Sequence, residues 1–188
     1  MRTIRTKVFQ FNELSEKAKL KAIELLRDIN TDFDNTDYLT DEFINELQEV
    51  GFENAEIYYR GFWSQGDGLC FDADISASKL AITLNDKRLA NLIDNGLIEG
   101  LTIEKTDYAN RYSHEHTRFI DYTATDYSNI NDALECFSDS VNVMRVDLCK
   151  DFYRRLQKEF EYLQSDISVI ETIEANQYEF TSTGNLFN

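Results

Sequence analysis

From Leu134 to Leu163 apolar side chains recur every three or four residues: Leu134, Phe137, Val141, Met144, Leu148, Phe152, Leu156, Phe160 and Leu163. No proline or glycine interrupts residues 131–164, and a period near 3.6 requires one amphipathic α-helix. At a rise of ~1.5 Å per residue it is about 50 Å long, enough to cross a sheet and overhang it. The stripe reads as a core face before a coiled-coil seam, because it does not keep a strict heptad. The overhang still leaves a homodimer open. Arg145, Lys150, Arg154 and Lys158 are assigned to the polar side.

The rest of the chain supplies a sheet for that helix. Residues 5–11 alternate as a short strand, and 16–29 form a helix with Asn12 or Ser15 as cap. A second helix over 38–50 buries Leu39, Phe43, Leu47 and Val50 and stops at Gly51. Residues 52–63 and 69–76 form a hairpin around Ser64-Gln65-Gly66-Asp67-Gly68. Leu69, Phe71, Ala73 and Ile75 lie on one face of its second strand, with Cys70, Asp72 and Asp74 on the other. A helix over 85–95 stopped by Gly96, strands over 101–106 and 117–125, a helix over 166–175 and a tail strand near Tyr178 and Phe180 complete the pattern. The expectation is one α+β domain over 1–188 with an antiparallel sheet of about three to five strands packed by helices. Residues 1–51 give strand, helix and helix, 52–126 the hairpin and sheet, and 129–188 the long helix, short helix and tail.

The charge is segregated. There are 35 Asp and Glu against 19 Lys and Arg, a net charge of −16. Residues 28–56 hold ten acids and no Lys or Arg, and 159–188 hold six more, again with none. Such a field repels phosphates and anionic lipid, which argues against direct nucleic-acid or membrane binding. It attracts a groove lined with Lys and Arg. The candidate acidic face is Asp32, Asp34, Asp37, Asp41, Glu42, Glu46, Glu49 and Glu53. A solvated surface that keeps the chain soluble explains the same charges more simply. No apolar window is long enough to span a membrane. Residues 1–11 lack the apolar core of a secretory signal, and Cys70, Cys136 and Cys149 form no CxxC pair, so the cytoplasm is the expected compartment.

Motifs for chemistry are sparse. His114-Glu115-His116 puts two imidazoles on one side of an extended backbone, and a metal site there would draw on Asp67 and Asp72; without a third His or an HExxH spacing, a polar loop is the simpler reading. The glycine turn is neither a GxSxG elbow nor a phosphate loop. No catalytic residue, metal or cofactor is assigned. Trp63, Gln65 and Asp67 at the hairpin tip are candidate partner contacts, although Trp63 among Tyr58, Tyr59 and Phe62 reads first as core.

Several blocks carry a family likeness: residues 7–15 followed by a Lys- and Ala-rich helix, Gly61-Phe62-Trp63-Ser64-Gln65-Gly66-Asp67-Gly68, Tyr112-x-His114-Glu115-x-Thr117, residues 152–163, and Ser165-Asp166 through Asn176-Gln177-Tyr178-Glu179-Phe180-Thr181. In this order they resemble a family of small, acidic, uncharacterised bacteriophage and prophage proteins. There the strand after the glycine turn often opens Ala-Ser-Phe where this chain has Leu69-Cys70-Phe71, which argues against Cys70 as an essential nucleophile. The resemblance implies a protein that binds and disables a nucleic-acid-handling host defence complex, anti-CRISPR or anti-restriction in type. Its partner is then a basic host or phage protein. The rival expectations are a small metal-dependent hydrolase or nuclease around His114 and His116, and an antitoxin-like neutraliser of one basic partner.

Overall fold

The computed structural model describes residues 6–31, 36–95, 98–105, 113–124 and 131–187. Contacts within it separate two compact units, residues 1–37 with 158–188, and residues 38–157. Each is described by itself. No helix among the described residues is long and apolar enough to cross a membrane.

In the first unit both sides of the sequence meet. Strand β1, Phe9–Gln10, pairs antiparallel with β6, Glu179–Phe180, so that Phe9 faces Phe180. Among the described residues the strand expected over 5–11, whose first residue lies outside them, is limited to these two, because the chain turns at once into a 3-10 helix, Phe11–Glu13, where Glu13 accepts the Gln10 N–H at 2.8 Å. Ser15 then caps helix α1, Glu16–Leu25. The helix ends four residues before the expected limit, and the polar residues that follow serve helix α6, Asp166–Ala175. Arg27 donates to the Gln164 carbonyl at 2.9 Å and to Asp166 at 2.5 Å. Asn30 donates to Ser168 Oγ at 2.9 Å and accepts from Thr172 Oγ1 at 2.8 Å. Phe11, Leu14, Ala18, Ala22, Ile23, Val169, Ile173 and Phe180 form the core between them.

Gly184 closes this unit. Its φ is +80°, and a Cβ there would lie 2.2 Å from the Ala18 carbonyl oxygen, a backbone atom of α1. Gly184→Ala therefore combines an unfavourable φ with a steric overlap that only main-chain movement relieves. The expected loss is at least ~2 kcal/mol, read as faster amide hydrogen exchange in α1 and at Phe180.

In the second unit helix α2, Asp37–Val50, stops at Gly51 as its pattern requires. Strands β2, Phe52–Arg60, and β3, Gly68–Ile75, form the hairpin. A bulge between Glu53 and Glu56 contains Asn54 at φ +52°. Helices α3, Ala77–Thr83, and α4, Lys87–Asp94, lead to strands β4, Ile98–Lys105, and β5, Arg118–Ala124. The sheet is antiparallel in the order β2-β3-β4-β5, and the fold is α+β. Helix α5, Asn131–Leu163, is the long helix the stripe demanded. Phe43, Leu47, Phe52, Leu69, Phe71, Leu80, Phe137, Val141, Phe152 and Leu156 are core.

Two assignments of faces change. Cys70, placed on the polar face of β3, is fully buried, because residues 115–117 pack over that face. Arg145, placed on the polar side of α5, is also buried. It stands four residues after Val141 and four before the buried Cys149, within the apolar stripe itself.

Candidate functional site

Two segments distant in sequence meet on the second unit: the β2–β3 turn and the stretch 113–118 that enters β5. Gly68 makes the approach possible. A Cβ there would fall 3.0 Å from the Ser113 carbonyl oxygen and 3.3 Å from His114 Cδ2. A cleft of ≈ 470 Å³ lies at the junction, lined by Gln65, Gly66, His114 and Thr117.

The turn is set by Asp67, whose carboxylate accepts the backbone N–H groups of Trp63 at 2.9 Å and Ser64 at 2.6 Å. Asp67 is thus engaged within the turn. Trp63, expected in the core, is instead 71 % exposed. Phe62 fills the inward place, its ring 5.4 Å from that of Tyr153, whose hydroxyl donates to the Gly61 carbonyl at 3.1 Å.

On the opposite side His114 caps the 3-10 turn Glu115–Thr117. Its carbonyl accepts from Thr117 N at 2.9 Å and Thr117 Oγ1 at 2.7 Å. The two imidazoles come together as expected, but through this tight turn and not through strand alternation. Their ring centroids are 5.2 Å apart. Glu115 sits between them, 3.1 Å from His114 Nδ1 and 3.7 Å from His116 Nε2. Its side chain is only 14 % exposed.

Arginines hold this loop from behind. Arg145, 1 % exposed, donates to the Glu115 carbonyl at 2.6 Å and to Asn142 Oδ1 at 2.7 Å. Its Nε has no partner among the described residues. Burial pushes its pKa down. Arg118 bonds Asp72 through Nε and Thr117 through NH1. Asp72 is therefore committed to Arg118 and does not join the histidines. Burial raises the Cys70 thiol and pushes Cys149 up to about 12. Neither is poised as a nucleophile. The hydrogen bond from Tyr58 to Glu56 (2.6 Å), with burial second, pushes Tyr58 up to about 12.

The acidic candidates divide. Asp32 and Asp34 lie outside the described residues, as do Gly96 and Tyr112. Glu42 and Glu46 both pair with Arg155, at 2.9 and 2.8 Å, and Glu53 pairs with Lys79 at 2.8 Å. Asp41 and Glu49 are exposed and make no ion pair among the described residues. Asp37 opens α2. At about 100° per residue Asp37, Asp41, Glu42 and Glu49 fall on the half of the helix opposite Leu39, Phe43 and Leu47, while Glu46 flanks the buried stripe.

Residues 36–166 match the family described as a domain of unknown function, DUF8835. The chain belongs to the DUF8835 family. The match takes in the whole 38–157 unit, including the cleft and its two segments. No curated protein and no solved structure matches the chain.

Sequence reasoning passed over the residue that organises the site in this DUF8835 chain. Arg145 carries a charge and was counted with the solvent-facing cations. The signal was its spacing: Val141, Arg145, Cys149 and Phe152 recur at four, four and three residues, and all are buried. Gln65 does line the cleft, whereas Trp63 and Asp67 are not among its walls.

Proposed function

We propose that this chain is a binding protein that docks the acidic face of α2 into a Lys- and Arg-lined groove of a partner that handles nucleic acid, and so blocks that partner. The observation that carries the reading is the charge of α2. Its five acids, Asp37, Asp41, Glu42, Glu46 and Glu49, have no basic residue among them. Arg155 supplies only one positive charge to the pair it holds. Glu42 remains 55 % exposed despite that pair. Such a face speeds encounter with a basic groove and excludes acidic partners. The phage-like order of sequence blocks supports a host defence complex as the partner. An ordered solvent-exposed Trp63 adds an anchor of the type enriched in interfaces.

Asp41→Asn with Glu49→Gln tests this without disturbing the Arg155 pair. A tagged chain is expressed in its native host, and proteins retained with it are identified by mass spectrometry at rising salt. The expected partner is basic, binds nucleic acid, and is released between roughly 0.05 and 0.3 M salt. The double variant should hold it at least about tenfold more weakly while its circular dichroism is unchanged. Equal retention by the double variant, or retention indifferent to salt, removes the proposal.

A further inference from the structure

We infer that His114, Glu115 and His116 form a site for a borderline divalent transition metal, of which zinc is the type. One ligand atom from each lies within 4.8 Å of the others. Donors around a four-coordinate ion with bonds of ~2.0–2.1 Å stand about 3.3 Å apart. His114 Nδ1 stands 3.1 Å from Glu115 Oε2 and His116 Nε2 stands 3.7 Å from Oε1, so each imidazole faces one oxygen of the same carboxylate and side-chain rotation of less than about 1.5 Å brings one atom of each to that spacing.

The hydrogen bonds of His114 supply a second argument. Its Nδ1 stands between the His116 backbone N–H, 3.3 Å away, and the Glu115 carboxylate, 3.1 Å away, and one nitrogen does not satisfy a donor and an acceptor at once. A cation between nitrogen and carboxylate satisfies both ligands and displaces only one long hydrogen bond.

The loop is already held in place for such a role. Arg145 donates to the Glu115 carbonyl, so its hydrogen bond holds the backbone of the loop while the carboxylate faces the two imidazoles. Thr117 and Gly68 fix the backbone at His114 from two sides. Backing of this kind orients metal ligands and is part of their affinity. His114 also lines the cleft with Gln65 and Gly66, which opens a coordination position to solvent or to a ligand. Two imidazoles and one carboxylate select zinc, cobalt or nickel over magnesium and calcium, which prefer all-oxygen shells.

The test uses the full chain with Cys136→Ser, because Cys136 is an exposed free thiol that would bind zinc on its own account. Zinc uptake is measured by equilibrium dialysis and calorimetry in a large excess of magnesium, which saturates diffuse sites on so acidic a surface. One equivalent is expected to bind, with a rise in melting temperature. His114→Ala and His116→Ala, checked for intact circular dichroism, should each weaken binding at least tenfold, and Asp41→Asn should leave it unchanged. Zinc displaced by magnesium, no uptake, or uptake by the histidine variants equal to that of the Cys136→Ser parent overturns the site. The acidic-face reading stands or falls separately, on salt and on Asp41 and Glu49.

Discussion

Phe152→Ala is expected to remove about 3–5 kcal/mol of the stability of the 38–157 unit. The Phe152 ring is fully buried and lies flat against Phe43, with centroids 4.2 Å apart and planes 6° from parallel. One ring comes from α5 and the other from α2, so the stack is where these two helices are joined. Truncation leaves a cavity that neither helix can fill without moving. The Arg155 guanidinium lies 4.5 Å from the Phe43 centroid and 5.7 Å from that of Phe152, and the same guanidinium holds Glu42 and Glu46. A double-mutant cycle between Phe152 and Arg155 should therefore show a coupling of roughly 0.5–1 kcal/mol. Urea unfolding followed by circular dichroism measures both. A loss below about 1.5 kcal/mol would mean that the stack is not a principal contact of the core.

Arg145→Ala should cost about 3 kcal/mol, and Arg145→Met markedly less. Alanine removes the buried stem, leaves a cavity and strips the Glu115 carbonyl of its donor. Methionine fills most of that volume and also removes a charge that burial disfavours. The depressed pKa of Arg145 carries the same message: its charged form is less comfortable folded than unfolded, at every pH where it is protonated. Retention of the guanidinium is then explained by what it orients more than by stability. Near-equal losses in the two variants would show that the hydrogen bonds, and not packing, dominate.

Much of the fold was legible because one period or one stop signal controlled each element. The stripe of α5, the Gly51 stop of α2 and the span of α6 over 166–175 all appear where their residues require. Helix α3 was not, since Ala77–Thr83 is too short to show a periodic face. The burial of Cys70 depends on residues 115–117 folding over β3, a long-range event that no local pattern announces, whereas Arg145 was hidden only by its charge, since its spacing in the stripe of α5 already placed it inward. Trp63 failed for a related reason. Its neighbours Tyr58, Tyr59 and Phe62 suggested a cluster, yet the turn built by Asp67 sends Phe62 inward and Trp63 out. The candidate site was half legible: both of its segments stood out and were expected to meet through Asp67 and Asp72, whereas the contact is made by Gly68 and Gln65 and both aspartates are engaged elsewhere.

The pairing of Phe9 with Phe180 sets an order of events during synthesis. About 170 residues separate the partners, and at ~5–20 residues per second the earlier strand waits roughly 10–35 s for the later one. The core of residues 38–157 is complete in sequence at Leu156, only about 1–5 s before Phe180 is made at the same rate. Phe9, Phe11 and Leu14 meanwhile stay without their final neighbours. A nascent chain stalled before Phe180 should thus present Phe9, Phe11 and Leu14 without their partners, the form in which chaperones would first encounter this protein.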